Sequence, residues 1–170
     1  MMQQALIEYY YQFHAKQHYF LCHDILEDAW KSQSRYTKDD IIVSLILLAT
    51  GAYHHRRHNF QGAYRSYQKA NKVIEQYSDE AIESQLGLQA PLFRQQLSTL
   101  IPAAHNAEGF TPIALPMTSI MRDMLIATYP TYKWTADVVE TPIIMHHHQY
   151  RDRSEVVAAR EAAWRARHRH

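Results

Sequence analysis

Proline is missing from the first ninety residues of this chain, glycine is scarce and cysteine occurs once. All six prolines fall between Pro91 and Pro142, and four glycines serve 170 residues. So few turn-forming residues argue against a strand-and-turn architecture. A lone Cys22 excludes an internal disulfide and suits a reducing cytoplasm. The most apolar run, Ile41 to Tyr53, is interrupted by Ser44 and Thr50 and is too short to span a bilayer. No membrane association is therefore expected. The opening MMQQALIEYY has no basic stretch followed by an apolar run, so no secretory signal is expected either. Neither sign of charge dominates: a net charge of +1 creates no global field to steer nucleic acid or an anionic membrane. There is no Gly-rich phosphate loop, no G-x-S-x-G and no C-x-x-C, which removes the usual support for nucleotide, hydrolase and redox classes. No cofactor is expected.

What is present is ordinary for a globular protein: 46% hydrophobic and 21% charged residues. The length suits one domain over residues 1–170 with a core of its own. The expectation is an all-α compact bundle of about five to seven helices, with antiparallel helical hairpins around a central apolar helix. Because proline breaks helix interiors, residues 1–90 are read as a helical core. Residues 91–142 are read as short helices and an extended, proline-containing strap, and 143–170 as a basic C-terminal helix.

Residue spacing predicts a helix from Gln3 to about Phe13 and a second from about Gln17 to Lys31. In the second, Phe20, His23, Glu27 and Trp30 recur at three, four and three and share a face. That face carries enough aromatic area to predict that Trp30 and Glu27 are largely buried. Thr37 is the expected cap of a central helix running to about His58, apolar nearly all round and hence covered on most sides. Asn59 is the expected cap of a fourth helix with Phe60, Ala63, Tyr67, Ala70 and Ile74 inward. Ser78 to Gly87 reads as a polar turn, and Pro91 as the first turn of a helix ending near Leu100. TPIALPMTS reads as an extended strap, and Ser119 as the cap of a short helix through Ile126. No period long enough for a solenoid occurs.

Two segments carry the chemistry, YFLCHDILEDAW and AYHHRRHNFQGA. Together they resemble the bacterial and archaeal family termed domain of unknown function 309. Its pattern is an aromatic pair, His-Glu, Leu-Glu and a Trp, then a His, two basic residues, Gly-Asn and Gly-Ala after an apolar helix. The resemblance is closest over residues 19–70, and HHHQYRDRSEVVAAR is similar to the tail of the Gram-positive branch. It carries over His23, Glu27, Trp30, His54, Arg57 and Asn59, with Gly62 and Ala63. It implies a compact helical fold in a cytoplasmic prokaryotic protein and no established activity. Three positions depart from the pattern: Asp24 stands for Glu, His58 for the Gly that supplies a left-handed helix end, and Leu47 for a Gln of the middle helix.

Three readings of these residues compete. His23 and Glu27 sit one turn apart and, with His54, form the candidate ligand set of a metal-dependent hydrolase, which needs three convergent ligands and an open position. If the hairpin turns near Ser34, His54 lies about seven residues past the level of His23, roughly 10 Å along the helix. That spacing disfavours the metal. The favoured reading is a polar network of His23 and Glu27 beneath Trp30, in a non-enzymatic protein that binds a partner or a second copy of itself. The groove between the second, third and fourth helices is its expected contact surface. The third reading is a nucleic-acid accessory role through the tail. Residues 151–170 hold six Arg and a net charge of +3, against −2 for the first 150; with little aromatic interleaving this is less favoured. The run HHRRH at 54–58 ends the central helix, where cations are at home against exposed carbonyls. His146, His147 and His148 read as a polar surface, and Cys22 as a buried structural residue.

Overall fold

The computed structural model describes residues 2–134. The expected C-terminal helix over 143–170 and the run His146–His148 lie outside them. Seven α-helices form, with no strand among the described residues. They are α1 (Met2–Tyr11), α2 (Tyr19–Lys31), α3 (Ile41–Arg56), α4 (Phe60–Glu75), α5 (Asp79–Ala81), α6 (Ala90–His105) and α7 (Ser119–Thr128). The all-α bundle is as expected. No helix among the described residues is long and apolar enough to cross a membrane.

α3 is the axis of the bundle, packed between α2 and α4; α4 also packs on α6, while α1 packs on α2 and α7. Its sequence dictates that place, because apolar residues on every side must be covered. Within α3 only Leu47, Thr50 and His54 escape burial up to the last residue, and their spacing of three and four draws one stripe. Close approach of α4 is allowed by Gly51: a Cβ there would stand 2.5 Å from the ring of Tyr67. Tyr67, Ala63, Ala70 and Ile74 are all fully buried, as the spacing of α4 predicts, and Phe60 is half-buried.

Several local expectations are corrected. α3 begins at Ile41 rather than Thr37. Asp40 Oδ2 accepts the backbone N–H of Thr37 at 2.9 Å and the indole N–H of Trp30 at 3.0 Å, which holds 37–40 as a turn instead of a first helical turn. Ser78 to Gly87 is helical, not a polar turn. The Ser78 hydroxyl caps α5, which continues as a π-helical turn over Ile82–Leu86 because Ile82 and Leu86 are drawn into the core. α6 runs on past Leu100 and through Pro102. Both Pro102 and Ser98, whose carbonyl loses its donor, are exposed, so water can take the carbonyl. Thr118, not Ser119, caps α7, accepting from the Met121 N–H at 3.2 Å.

α1 loosens into a π-helical turn over Gln12–Lys16, ended by Gln17 in the left-handed region (φ 53). This places Phe13 and His14 in the core. The extended strap is where the sequence puts it. Ile113, Leu115 and Met117 are buried while Thr111 and Ala114 are exposed, the alternation of an extended chain, and Met117 makes an isolated antiparallel bridge to Leu88.

Candidate functional site

The motif residues of α2 sit at the margin of the core. The inward face of α2 is Tyr19, Cys22 and Leu26, all fully buried. Phe20, His23, Glu27 and Trp30 lie a third of a turn away and are partly buried, Phe20 and Trp30 against the margin of the core, where Trp30 and Glu27 were expected to be largely buried. Glu27 is nonetheless held by protein groups. Its Oε2 accepts from His23 Nε2 at 2.9 Å and its Oε1 from Lys31 Nζ at 2.6 Å. Asp24 Oδ1 accepts from His23 Nδ1 at 3.2 Å. The result is a ladder Lys31–Glu27–His23–Asp24 along one edge of α2.

The ladder sets its own protonation. Burial alone lowers the pKa of His23, but hydrogen bonds from its ring to Asp24 and Glu27, together with their charge, outweigh it and raise the pKa to about 9. The hydrogen bond to His23, helped by Lys31, holds Glu27 down to about 2 against the opposing effect of burial. Near neutral pH the ring is an imidazolium with both nitrogens donating. It then has no lone pair for a metal and no capacity as a base.

From His23 a continuous run of contacts crosses to α4. The His23 ring lies 5.8 Å from Phe20, Phe20 lies edge-on to Tyr53 at 5.2 Å, and the guanidinium of Arg57 stands 5.2 Å over the Tyr53 ring. Tyr53 is 6.1 Å from the His54 ring, and His54 Nδ1 meets Asn59 Nδ2 at 3.2 Å. The Phe20–Tyr53 contact fixes the register of the hairpin. His23 stands level with about residue 50, so His54 lies about one turn beyond it, roughly 6 Å along the axis and not 10 Å. The turn reaches Asp40, longer than expected, and this accounts for the shift. His23, Glu27 and His54 share a strip but two aromatic rings separate the histidines. Among the described residues no three His, Cys, Asp or Glu side chains are grouped as a metal site requires.

The second motif segment builds the corner between α3 and α4. The Asn59 N–H bonds the His54 carbonyl at 2.9 Å and the His58 N–H bonds the His55 carbonyl at 3.1 Å, the paired closure of a Schellman helix end. His58 takes the left-handed conformation (φ 64) that the resemblance assigns to Gly. The Asn59 side chain caps α4 by accepting from Gly62 N–H at 3.1 Å. Gly62 makes room for it, since a Cβ at that position would meet Asn59 Nδ2 at 2.6 Å. Trp30 likewise acts on the fold through its bond to Asp40.

Reading HHRRH only as a helix end where cations meet exposed carbonyls missed two inward-facing groups, His55 and Arg56, and His14 at the end of α1 is a third that residue spacing did not single out. His55 is buried, donating from Nε2 to the Glu108 carbonyl at 2.7 Å and accepting at Nδ1 from Tyr67 hydroxyl at 3.0 Å. Burial lowers its pKa, which keeps this neutral tautomer. Arg56 donates to the Gln17 carbonyl at 3.0 Å and stacks over Tyr19. His14 is sealed at 2% exposure: Nε2 accepts the Leu115 N–H at 2.9 Å and Nδ1 donates to Tyr132 hydroxyl at 3.1 Å. The signal for the first two was available, because Leu45, Leu48, Ala49 and Ala52 continue at helical spacing to 55 and 56. A concavity of about 890 Å³ lies elsewhere, among Leu6, Ile42, Met121 and Ile120, and takes in none of the motif residues.

Residues 6–66 match the family model described as Domain of unknown function (DUF309), so the resemblance drawn from the motif is borne out. The chain is 28% identical over 165 residues to the Uncharacterized protein YpuF of Bacillus subtilis (strain 168), spanning 95% of this chain and 94% of that one. No solved structure matches the chain.

Proposed function

We propose, from a chain whose residues 6–66 carry the domain of that family, that the protein works by binding a protein partner and not by catalysis. Its contact surface is the strip across α2, α3 and α4: Phe20, His23, Glu27, Leu47, His54 and Arg57. The observation that carries this reading is the occupation of His23. Both of its ring nitrogens are donated to carboxylates 2.9 and 3.2 Å away, which leaves a charged, half-exposed pattern suited to recognition and unsuited to proton transfer or metal ligation. The hydrolase built on His23, Glu27 and His54 is less well supported, since the two histidines are parted by Phe20 and Tyr53. A bacterial cytoplasm belongs to the same proposal, in keeping with a single, buried thiol at Cys22.

A photo-activated cross-linking residue placed at Thr50, in the strip, should capture a discrete product in cells, and the same residue at exposed Gln95 on α6 should not. Elemental analysis after metal-free purification provides the opposing outcome. One equivalent of zinc, iron or manganese in the wild type, lost in both His23→Ala and His54→Ala, would overturn the interaction reading and promote the hydrolase.

A further inference from the structure

Arg57 is unlike several of the protein's paired cations. His23 is paired with Asp24 and Glu27, Lys31 with Glu27, Arg94 with Asp79, and Arg56 is bonded to a buried carbonyl. Arg57 has no carboxylate partner among the described residues, and its buried Nε has no acceptor. It is half-buried and stacked over Tyr53, a ring itself 3% exposed and pressed by Phe20. Stacking of this kind fixes a guanidinium before it meets an anion, which reduces the ordering lost on binding. The remaining nitrogens form a planar fork whose geometry matches a carboxylate or phosphate.

We infer that Arg57 is the point on the strip that takes a carboxylate presented by the protein partner, an Asp or Glu side chain flanked by apolar residues. This deepens the proposed function and rests on it. Two features favour a protein carboxylate over the phosphates of a nucleic acid. The α2 edge of the strip holds three carboxylates, Asp24, Glu27 and Asp28, against two cations, His23 and Lys31, a residual negative charge that disfavours a long polyanion more than a single acidic side chain placed at the α3 end. Half-buried Phe20, next to the Tyr53 ring, and Leu47, farther back along α3, supply apolar area for a helix laid across the strip.

The test uses the full chain and two labelled helical peptides of about 16 residues with leucines on one face. One has a central Glu and its twin a Gln, and binding is read by fluorescence anisotropy. The Glu peptide should bind about tenfold more tightly than its twin, as expected for a charge-assisted hydrogen bond. The preference should vanish in Arg57→Gln and survive in part in Arg57→Lys, which keeps charge and stem but loses the fork. An oligothymidylate of similar length should not displace the peptide. Equal binding of the twins to wild type, with both abolished by Leu47→Arg, overturns the role of Arg57 and leaves the interaction reading standing. Displacement of the Glu peptide by the oligothymidylate also overturns the assignment, in favour of a phosphate. Failure of both peptides to bind overturns the role of Arg57 and counts against the interaction reading.

Discussion

His14 and His23 sit on consecutive helical segments at the start of the chain and have their proton affinities pushed in opposite directions. His14 is buried; burial, with a smaller effect from the Arg122 charge, takes its pKa down to about 4. His23 is partly exposed between two carboxylates, and they take it up to about 9. One ring is kept neutral so that it can accept from a backbone N–H. The other is kept charged so that it can donate twice. Identity of the side chain decides neither outcome; the neighbours do. The inner histidine holds the strap and the segment after α7 to α1, whereas the outer one adds little to the core and patterns a surface.

Acid should break the comparison with the largest effect. The unfolded chain binds a proton at His14 near the ordinary value of 6.5, and the folded chain only near 4. Stability therefore falls as pH drops from 6.5 towards 4, by about 3 kcal/mol for this group. Urea unfolding across that range should show the loss. His14→Gln, which can accept and donate at the same places but cannot titrate, should flatten the profile. An unchanged slope would remove His14 from the account.

Alkali should act on the other histidine. The folded pKa of His23 is raised, so its contribution is complete below pH 6.5 and disappears as pH climbs through 9. After allowance for solvent screening it is worth about 1–2 kcal/mol. An NMR titration of the ring should place the midpoint near 9, and His23→Gln should be insensitive over the same window. A midpoint near the ordinary histidine value would mean that the ladder does not hold the proton. A smaller loss is expected from Trp30→Phe, about 1 kcal/mol for the indole bond to Asp40. Emptying a fully enclosed aromatic site would cost several times more. The smallest belongs to His54→Ala, within about 0.5 kcal/mol. Chemical denaturation ranks all of these, and a large loss for His54 would place it with the inner group.

Periodicity and capping chemistry made most of the fold legible. The all-α class, the central position of α3, the Asn59 cap and the strap over 111–117 follow from local rules that tertiary structure did not override. The errors share a cause. The Thr37 start was judged on local capping chemistry, the Ser78–Gly87 turn on polarity and the Leu100 end on proline spacing. In each case a contact distant in sequence or access to water decided: Trp30 on Asp40, the core on Ile82 and Leu86, solvent on the Ser98 carbonyl. The site was legible as a set of residues and not as an arrangement. Spacing placed His23 and Glu27 within one turn, but the inward turn of His55 and Arg56 and the marginal position of Trp30 depend on how α2 and α4 pack on α3.

The His14 latch also bears on the order in which the molecule assembles. α2, α3 and α4 are consecutive, joined by connections of nine and three residues, and can pair as soon as they form. The bonds of His14 to Leu115 and Tyr132, by contrast, close loops spanning 101 and 118 residues. Ordering so much chain before any return is slow. The hairpins around α3 should therefore form first and the strap should seal last over the end of α1. In hydrogen exchange of the native protein the Leu115 amide should open by a smaller, more local fluctuation than the amides of α3. The surface that the partner is proposed to read is thus laid down by the early-forming part of the chain.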